Sequence, residues 1–351
     1  MNNTKYKLYS KEAVKIGPES GYDNYIMAIE SSCDETACAI VKNGREVISN
    51  VVASQIKTHA QFGGVIPEIA AREHLDAINV VIDEAFKQAK ENANLEPDDI
   101  TAFSATVGPG LVGCLLVGLN AAKTLALTYD KPFIGVNHLN AHLCANYLET
   151  DLKPPFMALL VSGGHTQIID VESYSKQTIL GETIDDAVGE AYDKVARLIG
   201  LPYPGGPKLD KLAQEGNAYA FKLPEGKVDG LNFSFSGLKT SVLRLVKSFF
   251  DEKIPTADIC ASFQETVSAT LLKKLKSALE KSGYKQVVIA GGVAANSEIR
   301  KKIFALENEG YKVFAPPMKY CTDNAAMVAS CAYFNTNTFD DVNVEVFSRV
   351  K

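Results

Sequence analysis

The sequence predicts an α/β protein in which one supersecondary plan is laid down twice. Three observations carry that prediction. A strand, a small polar turn and a second strand (Tyr25–Glu30, Ser31-Ser-Cys-Asp-Glu35, Thr36–Val41) recur as Phe156–Val161, Ser162-Gly-Gly-His165 and Thr166–Val171. A strand from Ile100 to Val107, the turn Gly108-Pro-Gly110 and an apolar helix through Leu127 recur as Gln286–Ala290, Gly291-Gly292 and a helix through about Leu306. The two copies also follow the same order, as expected of a duplicated α/β domain. A protein of this plan is expected to hold a ligand in the cleft between its halves, with glycine turns facing it.

In chain order, residues 1–24 show no periodicity and read as an N-terminal extension. Asn43-Gly44 is a strong hairpin signal and leads into a strand over Glu46–Val52. Pro67 opens a helix with Leu75, Ile78, Ile82 and Ala85 placed inward by spacings of three and four. Pro132–Val136 is a short strand that runs into a helix start. Residues 25–150 make up the first lobe and 151–351 the second, with an inserted helical segment over about 185–285. Within that segment Val188, Tyr192 and Val195 face inward and Asp193 sits one residue off that face, near a cleft rim. The Pro204-Gly-Gly-Pro-Lys-Leu-Asp210 loop lets backbone approach a ligand closely, and a helix over Ala257–Ser282 stops at Gly283. Tyr311–Ala315 is a strand, and Thr322 or Asp323 caps a last helix containing Ala326, Met327, Ala329 and Ala332.

Composition narrows the function. The 351 residues, 46% hydrophobic, suit two domains better than one. A net charge of −6 gives no global attraction for nucleic acid, so RNA contact needs a local patch or a partner. The seven cysteines are scattered without a Cys-x-x-Cys pair, which excludes a zinc knuckle and fits a reducing, cytoplasmic home. Residues 1–24 lack a signal-peptide pattern, and the apolar run from Leu111 to Leu127 is broken by Asn120 and Lys123, so no membrane association is expected.

His138-Leu-Asn-Ala-His142 places two imidazoles one helical turn apart on one face, within reach of one cation. Core packing of one ring and backbone capping by the other would explain the same spacing. A third ligand is available in Cys321-Thr-Asp-Asn324, where Asp323 is either a ligand or simply a helix cap. Two histidines and a carboxylate leave positions open on a divalent ion, and Fe2+ and Zn2+ both suit that set. A zincin-type protease needs glutamate directly after the first histidine, where Leu139 stands. The Ser162-Gly-Gly-His165 turn offers a hydroxyl, free N–H groups and an imidazole, suited to a phosphate or an acyl oxyanion, or else is a plain hairpin turn. Gly291-Gly-Val-Ala-Ala-Asn296 suits adenine or ribose contact, with Asn296 for hydrogen bonding. The lysines around 273–302 read mainly as a solvated helix face.

Eight ordered motifs then resemble the TsaD family of tRNA threonylcarbamoyladenosine transferases over roughly residues 25–335. They are Ile29–Thr36, Gly108–Gly113, His138–His142, Leu160–Thr166, Tyr203–Gly206, Phe233–Lys239, Gly291–Asn296 and Cys321–Asn324. The resemblance implies the duplicated actin-like ATPase domain of sugar kinases, Hsp70 and actin, with two lobes around a nucleotide cleft. It implies transfer of the threonylcarbamoyl group from threonylcarbamoyl-adenylate to the exocyclic amine of adenosine at position 37 of tRNAs reading ANN codons. By likeness, His138, His142 and Asp323 hold the metal, while Leu160, Val161, Ser162, Gly163, Gly164, Asp193, Gly206, Asp210 and Asn296 line the adenylate site, which AMP- or ATP-type nucleotides can also occupy. Partners implied are tRNA, a TsaB-like paralogue as heterodimer, a TsaE-like P-loop ATPase and a TsaC-type enzyme that supplies the adenylate. Ala141 stands where the family's metal motif usually carries glycine, a harmless change on a helix.

His165 and Glu35, each in a turn expected to face the cleft, are candidates for handling the amine proton. A metabolite or sugar kinase and an ATP-binding chaperone of the same fold are the alternatives. Magnesium-dependent phosphoryl transfer, however, does not call for histidine ligands.

Overall fold

The computed structural model describes residues 14–250, 253–335, 339–341 and 343–349. Residues 1–13 of the expected N-terminal extension lie outside that set. The chain divides into two compact units, one of residues through Leu152 together with those from Thr322, the other Lys153–Cys321.

The first unit begins with β1 (Tyr25–Glu30), β2 (Glu35–Lys42) and β3 (Glu46–Ser54). Asn43 and Gly44 both take left-handed φ values, 51° and 67°, and so close the β2–β3 hairpin as their types allow. Two helices follow, α1 (Ile56–Ala60) and α2 (Pro67–Ala93), the latter with proline in its first turn and Asn94 as a left-handed C-cap. Then come β4 (Ala102–Gly108), α3 (Val112–Thr128), β5 (Phe133–Asn137) and α4 (His138–Cys144). The sheet order is β3-β2-β1-β4-β5, antiparallel on the β1–β3 side and parallel on the other. β1 and β4 are buried almost throughout, as central strands covered on both faces must be.

Of the four residues that spacing places inward on α2, Ile78, Ile82 and Ala85 meet the core and Leu75 does not. Ala70, His74, Ile78, Val81, Ala85 and Ala89 are the inward residues of α2, while Leu75 is 61% exposed. The face is set by His74, a polar residue that hydrophobic periodicity ignores. Its Nδ1 meets the Thr36 hydroxyl at 2.7 Å and its Nε2 the Cys33 carbonyl at 3.0 Å.

The second unit repeats the plan. It opens with β6 (Phe156–Val161), β7 (Thr166–Ser173) and β8 (Lys176–Glu182), followed by α5 (Val188–Leu198), α6 (Gly205–Ala213), α7 (Ser236–Ser248) and α8 (Thr256–Ser282). These four helices occupy the stretch of about 185–285 that the sequence reading set apart. β9 (Gln286–Ala290), α9 (Ser297–Phe304) and β10 (Lys312–Phe314) complete it. The sheet order is β10-β9-β6-β7-β8, the same topology as the first, with β6 antiparallel to β7 and parallel to β9. β6 is fully buried, and a large apolar core gathers α5, α6, α7 and α8 around Tyr192, Phe233, Phe263 and Leu271. Duplication is therefore present at the level of strand order.

The last helix, α10 (Ala325–Phe334), belongs to the first unit, which corrects the sequence boundary that gave everything after residue 150 to the second lobe. α10 is apolar on all sides and packs against β1, β2 and α4. The Ser330 hydroxyl donates to the carbonyls of Gly44 and Cys144 at 2.7 and 3.1 Å, tying the hairpin turn and the end of α4 to it. Among the described residues no helix is long and apolar enough to cross a membrane.

Candidate metal centre and glycine-rich turns

The metal candidates converge in the first unit. β5 ends at Asn137, whose side chain accepts hydrogen bonds from the Leu139 and Asn140 N–H groups and so starts α4 at His138. With the helix begun there, the rings of His138 and His142 stand edge to face, their centroids 4.6 Å apart. Asp323 approaches from the chain segment before α10, its Oδ1 lying 3.2 Å from His142 Nε2 and 3.7 Å from His138 Nε2. One donor atom from each of the three residues falls within 4.8 Å of the other two.

Asp323 does not cap α10. That role falls to Asn324, whose Oδ1 accepts from the Met327 N–H at 3.1 Å, leaving the Asp323 carboxylate to face the imidazoles. The cap reading of Asp323 is overturned by one residue.

A fourth group joins this cluster that sequence reasoning did not single out. Glu30, the last residue of β1, is fully buried and its Oε2 lies 3.1 Å from His138 Nδ1. It also accepts from the Ser32 N–H and the Thr106 hydroxyl, each at 2.6 Å. A carboxylate ending the otherwise apolar Tyr25-Ile-Met-Ala-Ile-Glu30 strand was the available signal.

The electrostatics follow from this geometry. Burial opposes charge on His138, yet the carboxylates of Glu30 and Asp323 raise its pKa to about 9. Burial likewise opposes ionisation of Asp323, but the two imidazoles pull its pKa down to about 2. Burial would raise Glu30 too, and the adjacent His138 charge outweighs it and lowers the carboxyl. Glu35, at the start of β2, goes the other way. Burial, then the charges of Asp323 and Asp34, push its pKa up to about 10, and its Oε1 accepts from the Ser54 hydroxyl at 3.2 Å.

The adenylate candidates all lie in the second unit. Leu160 and Val161 are buried in β6 and offer backbone alone, Ser162 is nearly buried, and Gly163 and Gly164 are exposed at the turn. The Ser162 hydroxyl accepts from the His165 N–H at 3.1 Å and its N–H donates to the His165 carbonyl at 2.8 Å, which tightens the turn. A Cβ on Gly291 (φ 90°) would stand 2.4 Å from the Val161 carbonyl oxygen, and one on Gly189 2.7 Å from Gly163 Cα. Those two glycines let β9 and α5 close onto the end of β6, whereas Gly163, Gly164 and Gly292 face open space.

The polar candidates are committed within the unit. Asp193 Oδ1 accepts from the N–H groups of Gly205 and Gly206 at 2.9 and 3.1 Å, holding the first turn of α6; its burial nevertheless raises its pKa. Asp210 accepts from the Ser297 N–H and hydroxyl at 3.1 and 2.7 Å. Asn296 caps α9 through the Ile299 N–H and donates from Nδ2 to Gln264 at 2.9 Å. They therefore hold glycine turns and helix starts in place. His165 belongs to this unit and Glu35 to the first.

Three comparisons bear on this arrangement. Residues 46–330 match the family model described as TsaD: tRNA N6-adenosine threonylcarbamoyltransferase. A protein of that name from Microcystis aeruginosa is 51% identical over 336 residues, 93% of this chain and 96% of the relative. One from Clostridium perfringens is 53% identical over 315 residues, 88% of this chain and 92% of the relative. Among solved structures, full-length HypF in its phosphate- and nucleotide-bound form aligns with a TM-score of 0.62 at 14% identity, over 93% of this chain and 47% of HypF. Component A of the Acidaminococcus fermentans (R)-2-hydroxyglutaryl-CoA dehydratase aligns at 0.50 with 15% identity, over 90% of this chain and 98% of that one. At such identities the likeness speaks for the fold, the duplicated actin-like domain.

Proposed function

Because the chain belongs to the tRNA N6-adenosine threonylcarbamoyltransferase family, we propose that its two units divide the work of that reaction, the first holding a divalent cation and the second the adenylate. The activity is transfer of a threonylcarbamoyl group to the N6 amine of an adenosine in tRNA, and tRNA is its substrate. The observation that carries the cation reading is the preassembled donor set His138, His142 and Asp323. Two imidazoles and one carboxylate match ferrous iron or zinc; magnesium prefers an all-oxygen shell.

With threonylcarbamoyl-adenylate as donor, the N6 nitrogen bonds to the carbamoyl carbon, the bond from that carbon to the phosphate oxygen breaks, AMP leaves and one proton leaves N6. The acyl group arrives activated, so the protein's task is placement and charge stabilisation. When bound, the cation supplies Lewis-acid polarisation near the acyl group. The exposed Gly163 and Gly164 N–H groups suit the adenylate phosphate, with Leu160 and Val161 contributing backbone and Ser162 its hydroxyl. Asp193, Gly206, Asp210 and Asn296 shape the nucleotide's surroundings, and AMP- or ATP-type nucleotides bind the same groups. Glu35 is one acceptor for the N6 proton. His165 is the other acceptor for the N6 proton.

A TsaB-like paralogue, a TsaE-like P-loop ATPase and a TsaC-type source of the adenylate complete the proposed system, in a cytoplasmic setting. The test is transfer to tRNA by the metal-loaded chain with these partners and supplied adenylate. His142→Ala is expected to lose both bound metal and transfer. Full transfer by a chain stripped of metal would overturn the cation reading.

A further inference from the structure

We propose that Glu30 is the positioning carboxylate of the cation site, fixing the His138 ring so that Nδ1–H is spent on Glu30 and Nε2 is left to the cation. This rests on the cation reading above. A metal-bound histidine is commonly oriented through its second nitrogen by a carboxylate or carbonyl, and such partners raise the ligand's basicity. Here Glu30 Oε2 stands 3.1 Å from Nδ1, while Nε2 of the same ring points toward Asp323 at 3.7 Å. Ser32 Oγ is 3.3 Å from that Nδ1 as well, farther away and uncharged.

The energetic argument runs against a merely structural glutamate. A fully buried carboxylate is costly unless several donors satisfy it. Glu30 has three: the Ser32 N–H, the Thr106 hydroxyl and the His138 ring. Met27 and Ile29 of β1 face the apolar core of the first unit, whereas Glu30 lies on the opposite face of the strand and meets His138 there. The two imidazoles are thereby unequal, since His142 Nδ1 lacks such a partner among the described residues.

The experiment is Zn2+ affinity of the full chain by chelator competition, with Co2+ absorption as a check on the ligand set and thermal melting as a check on folding. Glu30→Gln presents an amide N–H to Nδ1 in its favoured pose, which puts the ring proton on Nε2. Zn2+ affinity is expected to fall about 10- to 100-fold with the shape of the Co2+ spectrum retained. Thr106→Val, which keeps the carboxylate but removes one donor, is expected to lose about fivefold. Lowered melting temperature with unchanged Zn2+ affinity in Glu30→Gln would overturn the proposal. Should Glu30→Gln fail to fold, Thr106→Val decides on the same criterion. Wild-type protein that takes up neither ion would bring down the cation reading and this one together; wild-type uptake matched by Glu30→Gln brings down this one alone.

Discussion

The two strand–turn–strand corners make an instructive pair, because one topology carries opposite chemistry in each. In the first unit the corner Ser31–Asp34 follows a buried glutamate and precedes Glu35, so the corner is rich in carboxylates. In the second, Ser162–His165 follows Val161 and exposes two glycines, offering backbone N–H groups instead. Side chains suit a small dense cation whose ligand geometry must be set; bare backbone suits a bulky anion that must come close. The two units share a strand order, and the residues at their corners differ in the chemistry they offer.

Substitutions can break this contrast from one side at a time. The largest effect is expected from His142→Ala, with cation affinity lowered by more than about 100-fold, beyond the loss from an outer partner, while nucleotide affinity is unchanged by calorimetry. Comparable losses of both ligands from that one change would refute the separation. Next comes pH. A cation must displace the proton that His138 holds up to about 9, so its affinity should rise about tenfold per pH unit from neutral to 9 and then level off. In metal-free protein the same group behaves oppositely. Its folded pKa exceeds the ordinary 6.5, so its stabilising contribution is complete below 6.5 and disappears as pH passes 9. Melting temperatures of chelator-treated protein at pH 6 and 9.5 check this, and His138→Gln should remove its share of the difference.

Gly291→Ala tests the second corner. A Cβ 2.4 Å from the Val161 oxygen at a φ of 90° should destabilise the unit by about 2 kcal/mol in denaturant titration. Asn324→Ala, which removes the α10 cap, should cost about 1 kcal/mol. It should also loosen cation binding slightly through the neighbouring Asp323. Gly163→Ala, with open space around it, should leave melting unchanged and reduce nucleotide affinity only by crowding the N–H groups.

Much of this contrast was legible in the chain. The duplicated order, the hairpin at Asn43-Gly44 and the pairing of His138 with His142 follow from periods and spacings, which are local properties. What spacing could not show was tertiary selection among equivalent options. Asn324 rather than Asp323 caps α10 because Asp323 is drawn to two imidazoles contributed by a distant segment. Leu75 turns outward because His74 finds partners on β2 and the preceding turn. Glu30 escaped notice because a single carboxylate in an apolar strand is meaningful only once its neighbours are known. The same holds for α10, whose uniformly apolar sequence says that it is buried but not in which unit.

That last feature bears on how the protein is made. Asp323 and α10 emerge from the ribosome only after the whole Lys153–Cys321 unit has been synthesised. During that interval β1 lacks a covering helix and the two histidines lack their carboxylate companion, so the nascent first half cannot assemble its three-ligand set. A product terminated before Asp323 therefore lacks the clustered carboxylate of this three-residue set.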